Sequence, residues 1–248
     1  MKRLMFFSLF ILALFLVGCD ENNNISTEPN SQVNEESYGD RPESIEKGRS
    51  YAEFEIILEN MTPATGPGAS QPFSPPVMTA HTPFYHIFKN NHYASNELAQ
   101  LAEDAVNPPM IDLLNNSRFA FEVVEGTTGP IFPGESGKFI IKTKLPFIKF
   151  SLVSMLVNTN DGFTGIDAAK LPFRGSRTYY LSAYDAGTEV NTELESNIPG
   201  PCCGSPLVRV PSHDKIKYHT GILGNGDLDP AVYGWSRNVA KLIITRLK

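Results

Sequence analysis

The sequence predicts an all-β domain: an antiparallel β-sandwich with one short helix and long loops rich in Pro and Gly. Three observations carry that expectation. Apolar and β-branched side chains recur in short runs, the first of them alternating with acidic residues. Proline and glycine, 19 of each in 248 residues, gather between the runs, and Pro is excluded from helix interiors and central strands. One segment alone carries helical spacing.

Taken in order, the first strand is expected over residues 51–59, where Phe54 and Ile56 alternate with Glu53 and Glu55 before the run becomes wholly apolar. A helix is expected over 95–104. Ser95 or Asn96 supplies the cap, Leu98, Leu101 and Ala102 share a face, and Pro108 and Pro109 end it. Further strands are expected over 119–124, 138–143, 147–157, 178–183 and 239–247. Gly134-Glu-Ser-Gly-Lys138 resembles a phosphate loop only superficially, because the first glycine is misplaced and Phe139 stands where Ser or Thr belongs. A turn leading into the strand at 138 is the expectation there. No internal repeat is present.

Ahead of this domain the chain reads differently. Lys2 and Arg3 precede an apolar run from Leu4 to Val17, which is shorter than the roughly 20 residues of a spanning helix. The run ends at Leu16-Val17-Gly18-Cys19, which resembles the bacterial lipobox. Residues 1–19 are therefore expected to be a lipoprotein signal peptide, with Cys19 lipidated. Residues 20–49 are rich in Asn, Glu, Ser and Pro, with too few apolar side chains to offset the entropy of ordering. They are expected to form a disordered tether of order 30 Å, with the folded domain over 50–248. The expected location is the bacterial cell envelope, on the outer membrane or cell surface rather than the inner membrane. Asp20 resembles an inner-membrane retention signal that only some lineages obey.

Formal charge is −6, and loss of Lys2 and Arg3 would take it to −8. Such a chain has no general electrostatic attraction for nucleic acid or anionic lipid. Cys202 and Cys203 are adjacent, so they are neither a disulfide framework nor a zinc site; a thiol pair in a loop or a strained disulfide is expected in Gly-Pro-Cys-Cys-Gly. No Gly-x-Ser-x-Gly elbow occurs. His81, His86 and His92 could be zinc ligands, but scattered loop histidines need no metal. His219 is expected to be packed or hydrogen-bonded rather than catalytic.

Loop carboxylates are the chemistry that remains. Asn158-Thr-Asn-Asp161-Gly and Asp185-Ala-Gly-Thr-Glu189 each follow a strand. If those strands are neighbours, Asp161, Asp185 and Glu189 converge, and three close carboxylates call for a cation such as calcium, which takes six to eight oxygens. The amide of Asn158 or Asn160 could add to the shell. The plain alternative is that Asp-Gly and Asp-Ala-Gly are turn formers.

The same residues carry a resemblance. Ser154-Met-Leu-Val-Asn-Thr-Asn-Asp-Gly-Phe-Thr-Gly165, Ala183-Tyr-Asp-Ala-Gly-Thr-Glu189 and Asn197-Ile-Pro-Gly-Pro201 are similar to the spondin N-terminal domain family, as are Gln71–Val77, Leu98–Asp104 and Trp235–Ile244. The resemblance implies an eight-stranded antiparallel sandwich with bound calcium, whose carboxylates fall on Asp161, Asp185 and Glu189. Glu189 stands where animal members carry Asp, and Tyr184 where they carry Trp. It also implies a binding or adhesion module, not an enzyme, with an unidentified protein or glycan as ligand. An envelope metal-dependent hydrolase using the same acids is the alternative.

Overall fold

The computed structural model describes residues 51–64, 70–127, 129–204, 208–235 and 238–248. Cys19 and the expected leader and tether lie outside the described residues.

Strand β1 (Ala52–Asn60) has its even-numbered side chains Phe54, Ile56 and Leu58 buried and its odd-numbered ones partly exposed. That is the alternation the sequence carries. It pairs antiparallel with β4 (Ser136–Thr143), where Phe139 and Ile141 face the same core, and with β9 (Asn238–Arg246), which supplies Leu242 and Ile244. Burying each such side chain contributes about 1.5–3 kcal/mol.

The remaining strands are β2 (Val77–His81), β3 (Ala120–Glu125), β5 (Lys149–Met155), β6 (Gly162–Lys170), β7 (Ser176–Asp185) and the two-residue β8 (Lys217–Tyr218). The hydrogen-bonded order is β3-β2-β5-β6-β7-β9-β1-β4, with β8 added to β7, and every pairing is antiparallel. The nine strands curl into a nearly barrel-shaped sandwich. Strand β7 joins its two halves, pairing with β9 through Ser176–Ser182 and with β6 through Ala183–Asp185.

Three strands were not expected: the two-residue β8, too short to show a pattern, and the longer β2 and β6. β2 reads Val-Met-Thr-Ala-His and is buried throughout, so it shows no alternation. β6 reads Gly-Phe-Thr-Gly-Ile-Asp-Ala-Ala-Lys, whose small and acidic residues hide its strand character. Helices differ as well. Helix α1 (Asn96–Asp104) begins at Ser95, whose Oγ accepts the Leu98 N–H at 3.2 Å, and ends at Ala105 in the left-handed region. Pro108 and Pro109 then open a second helix, α2 (Pro108–Asn115), because a proline in the first turn loses no helical hydrogen bond. A third, α3 (Pro230–Tyr233), is a single turn capped by Asp229.

Helices α1 and α2 place Leu98, Leu101, Met110 and Leu114 against Val77, Val153 and Phe163. This second cluster covers the outer face of β5, whose other face lies in the sandwich, so β5 is buried almost end to end. The buried clusters among the described residues draw on residues from 54 to 244, all of which a chain lacking its first 19 residues retains.

The registers also sort the loops between two ends. Ala52, His81, Thr143, Lys149, Lys170 and Arg246 lie at one, here the lower end. Asn60, Met155, Gly162 and Asp185 lie at the upper end.

Candidate functional site

The Asn158–Asp161 turn links β5 to β6 at the upper end. Thr159 Oγ donates to the Leu156 carbonyl at 2.6 Å and accepts the Gly162 N–H at 2.9 Å, which turns the chain and delivers Asp161 to the start of β6. Because Gly162 pairs with Asp185 across β6 and β7, the two acids arrive side by side. The next loop folds over Asp161. The Ala186 N–H donates to the Asp161 carbonyl at 3.1 Å, and Gly187, at φ 77°, sits so close to the Asp214 carbonyl that a Cβ would lie 2.5 Å from it. Only glycine fits both constraints.

All three predicted acids are thus brought to one end and buried: Asp161 is 0% exposed, Asp185 2% and Glu189 3%. Asp161 Oδ2 accepts the Thr188 and Glu189 N–H groups at 2.7 and 3.0 Å and the Thr188 hydroxyl at 3.2 Å. Asp185 accepts the Gly187 N–H and the Asn191 amide, both at 2.7 Å, with Lys217 Nζ at 3.7 Å. Glu189 Oε1 accepts from Arg209 at 2.6 Å, and Arg209 also pairs with Asp104. Two oxygens are left over. Asp161 Oδ1 and Glu189 Oε2 are buried with no hydrogen-bond partner.

An orphaned carboxylate oxygen is costly, and the charges reflect it. Burial, then the neighbouring Asp185, push the Asp161 carboxyl up to about 7. Burial likewise raises Asp185, opposed by Lys217, and raises Glu189, opposed by Arg209. Asp161 and Asp185 repel each other, whereas Glu189 answers to Arg209, Glu103 and Asp104; a hard divalent cation prefers carboxylate oxygens and would relieve such repulsion. Asp161, Asp185 and Glu189 would hold it. Among the described residues no three His, Cys, Asp or Glu side chains are grouped closely enough to hold a metal ion as they stand. Arg209 engages Glu189 and Asn191 engages Asp185, so an entering cation would exchange those partners. The Asn158 amide is committed elsewhere: its oxygen accepts the Cys202 N–H at 3.2 Å and its nitrogen donates to the Ser70 carbonyl at 3.0 Å.

The other candidates are accounted for by packing. His81 bridges the Thr82 carbonyl at 2.8 Å and Ser151 Oγ at 2.7 Å, His86 pairs with Asp167, and His92 is exposed. His219 accepts the Gly221 N–H at Nδ1, 3.0 Å away, and leans on Trp235. Cys202 and Cys203 are disulfide-bonded to each other beside Ile198, Ile222 and Leu228. Sequence reasoning missed Arg209, Lys217 and Asn191. Asn191 was findable two residues beyond Glu189, whereas the two cations arrive from distant segments with no local signal.

Fold and site together define an all-β antiparallel module with an acidic centre built from two loops at one end. The family profile of the spondin N-terminal domain, Spondin_N, matches residues 57–203, more than half the chain. The chain belongs to the spondin N-terminal family, whose domains are in general non-catalytic modules. No curated protein matches it.

Proposed function

We propose that this protein is a bacterial cell-envelope lipoprotein, anchored through lipidated Cys19 on the outer membrane or cell surface. Its spondin-type domain binds calcium through Asp161, Asp185 and Glu189 and acts as a binding or adhesion module for an envelope or matrix protein or glycan. The observation that carries the calcium reading is the pair of buried, unpartnered oxygens on Asp161 and Glu189. A turn-forming aspartate has both oxygens free to reach backbone or water, and these do not.

Thermal unfolding of the chain from residue 20, in EGTA and in millimolar calcium, tests the site. A ligand present at a hundred times its dissociation constant stabilises by about 2.7 kcal/mol, which for a domain near 200 residues raises Tm by roughly 5–10 °C. Asp161→Ala, Asp185→Ala and Glu189→Ala should each abolish the rise. An identical Tm with and without calcium would return these acids to turn formers. The anchor is tested separately, by labelling cells with a radioactive fatty acid: Cys19→Ala should lose the label.

A further inference from the structure

The lower end of the sandwich has a chemistry opposite to the upper one. Three connections lie there, and each raises a large apolar side chain into solvent. Phe84, between β2 and α1, is 90% exposed; Leu145, between β4 and β5, 81%; and Phe173, between β6 and β7, 78%. Those are costly placements for side chains that elsewhere fill the core.

Around them stand cations. Arg118 lies 4.8 Å over the ring of Phe119, and Lys144 lies 4.8 Å over Phe121. Arg174 and Arg246 both lean over Phe173, at 5.7 and 5.5 Å. Lys170 adds a further charge at the end of β6. None of these five makes an ion pair among the described residues. Lys248 alone is partly neutralised, by Glu53 at 2.9 Å. A hollow of about 330 Å³ between Phe173 and Leu247 is lined by Arg174, Arg246 and Lys248. In a chain of net charge −6, this end is basic.

We propose that the lower end is a membrane-docking face: Phe84, Leu145 and Phe173 enter the interface of a bilayer while the surrounding Lys and Arg bind its anionic phosphate headgroups. Three features favour a bilayer over a protein partner. Single apolar tips on separate turns suit insertion between headgroups, whereas a protein interface needs a continuous packed core. Long cationic side chains resting on aromatic rings can keep their charge at the headgroup level while the rings go deeper. And the described chain begins at Tyr51, at this same end, with Lys144 5.9 Å from its ring. A tether from Cys19 would therefore reach the domain on the face that is to meet the membrane. This last point rests on the lipoprotein reading; the first two do not.

The test uses the unlipidated chain from residue 20, with vesicles of phosphatidylcholine alone or mixed with phosphatidylglycerol. Binding is expected only with phosphatidylglycerol and should weaken as salt rises. The triple variant Phe84→Ser, Leu145→Ser, Phe173→Ser keeps every charge and changes only exposed side chains; with its Tm unchanged, it should bind at least roughly tenfold more weakly. Leu145→Trp should be quenched by lipids brominated in their acyl chains, while Trp235 in the parent chain is not. No binding to the mixed vesicles, or equal binding by the triple variant, would overturn the proposal. So would binding of parent and triple variant alike to a soluble sulfated polysaccharide in the absence of vesicle binding, which would assign the face to a polyanion. Because the lipid anchor is absent throughout, none of these outcomes depends on whether Cys19 is modified.

Discussion

Asp161 is the residue on which the upper end turns. One oxygen holds the 185–189 loop through two backbone N–H groups, and the other faces no donor. The holding function needs only an acceptor, whereas a calcium role needs the charge. Asp161→Asn separates the two. Without calcium the variant should be more stable than the parent by about 1 kcal/mol, since the cost of burying the charge and the repulsion from Asp185 are both gone. It should also lose its response to calcium. Urea melts in EGTA and in calcium read both effects, and a variant that still responds would remove Asp161 from the ligand set.

His219 sets a pH limit at the same scale. Its Nδ1 accepts the Gly221 N–H, so the neutral ring carries its proton on Nε2, which is buried without a partner. Burial lowers its pKa from 6.5 to about 4. Between those values the unfolded chain binds a proton that the folded one refuses, so this contribution is whole above pH 6.5 and is lost as pH falls towards 4. The loss should reach roughly 3 kcal/mol at most. His219→Gln, measured by denaturant melts across that range, should flatten the slope; an unchanged slope would place the titration elsewhere.

At the scale of elements, the loop after β7 is held by a residue that no pattern in the sequence advertises. Glu193, at φ 55° and 4% exposed, accepts the N–H groups of Leu223 and Asn225 at 2.6 and 2.7 Å through its carboxylate. Its carbonyl accepts the Asp227 N–H at 2.8 Å. Glu193→Ala leaves two amides unpaired and should cost about 2–4 kcal/mol, read by denaturant melts. It should also open 221–230 to proteolysis before the sandwich unfolds, and simultaneous loss of both would contradict a local clamp. This contrast describes what was legible in the sequence. β1, β4 and α1 were, because one face of each is wet and periodicity records it. β2 was not, because both its faces are covered, and β6 was not, because its glycines lie where neighbours press close, Gly165 against the Leu152 carbonyl. The three acids were legible because each closes a local turn motif. Arg209 and Lys217, which oppose two of them, were not, because their proximity exists only after folding.

For the whole molecule, the two ends are separated by the length of the strands, about 30 Å for the nine residues of β1. A rigid antiparallel sandwich lies between them, with no described hydrogen bond or ion pair linking the Asp161 centre to the turns bearing Phe84, Leu145 and Phe173. Coupling between two sites must be reciprocal and must be carried by an element with two arrangements, and continuous antiparallel ladders join the two ends. Calcium should therefore stabilise the fold while leaving its affinity for anionic vesicles within about twofold, well under the 5- to 150-fold of coupled sites. Asp161→Ala should bind vesicles like the parent even though its Tm no longer follows calcium. Sedimentation with vesicles in EGTA and in calcium decides the matter. A large rise in binding with calcium, lost in Asp161→Ala, would mean that the ion bridges carboxylate and phosphate at the upper end, and the bilayer would then belong there. Calcium-independent binding that the triple serine variant weakens would instead hold the acidic end away from the membrane, free to meet whatever the module binds.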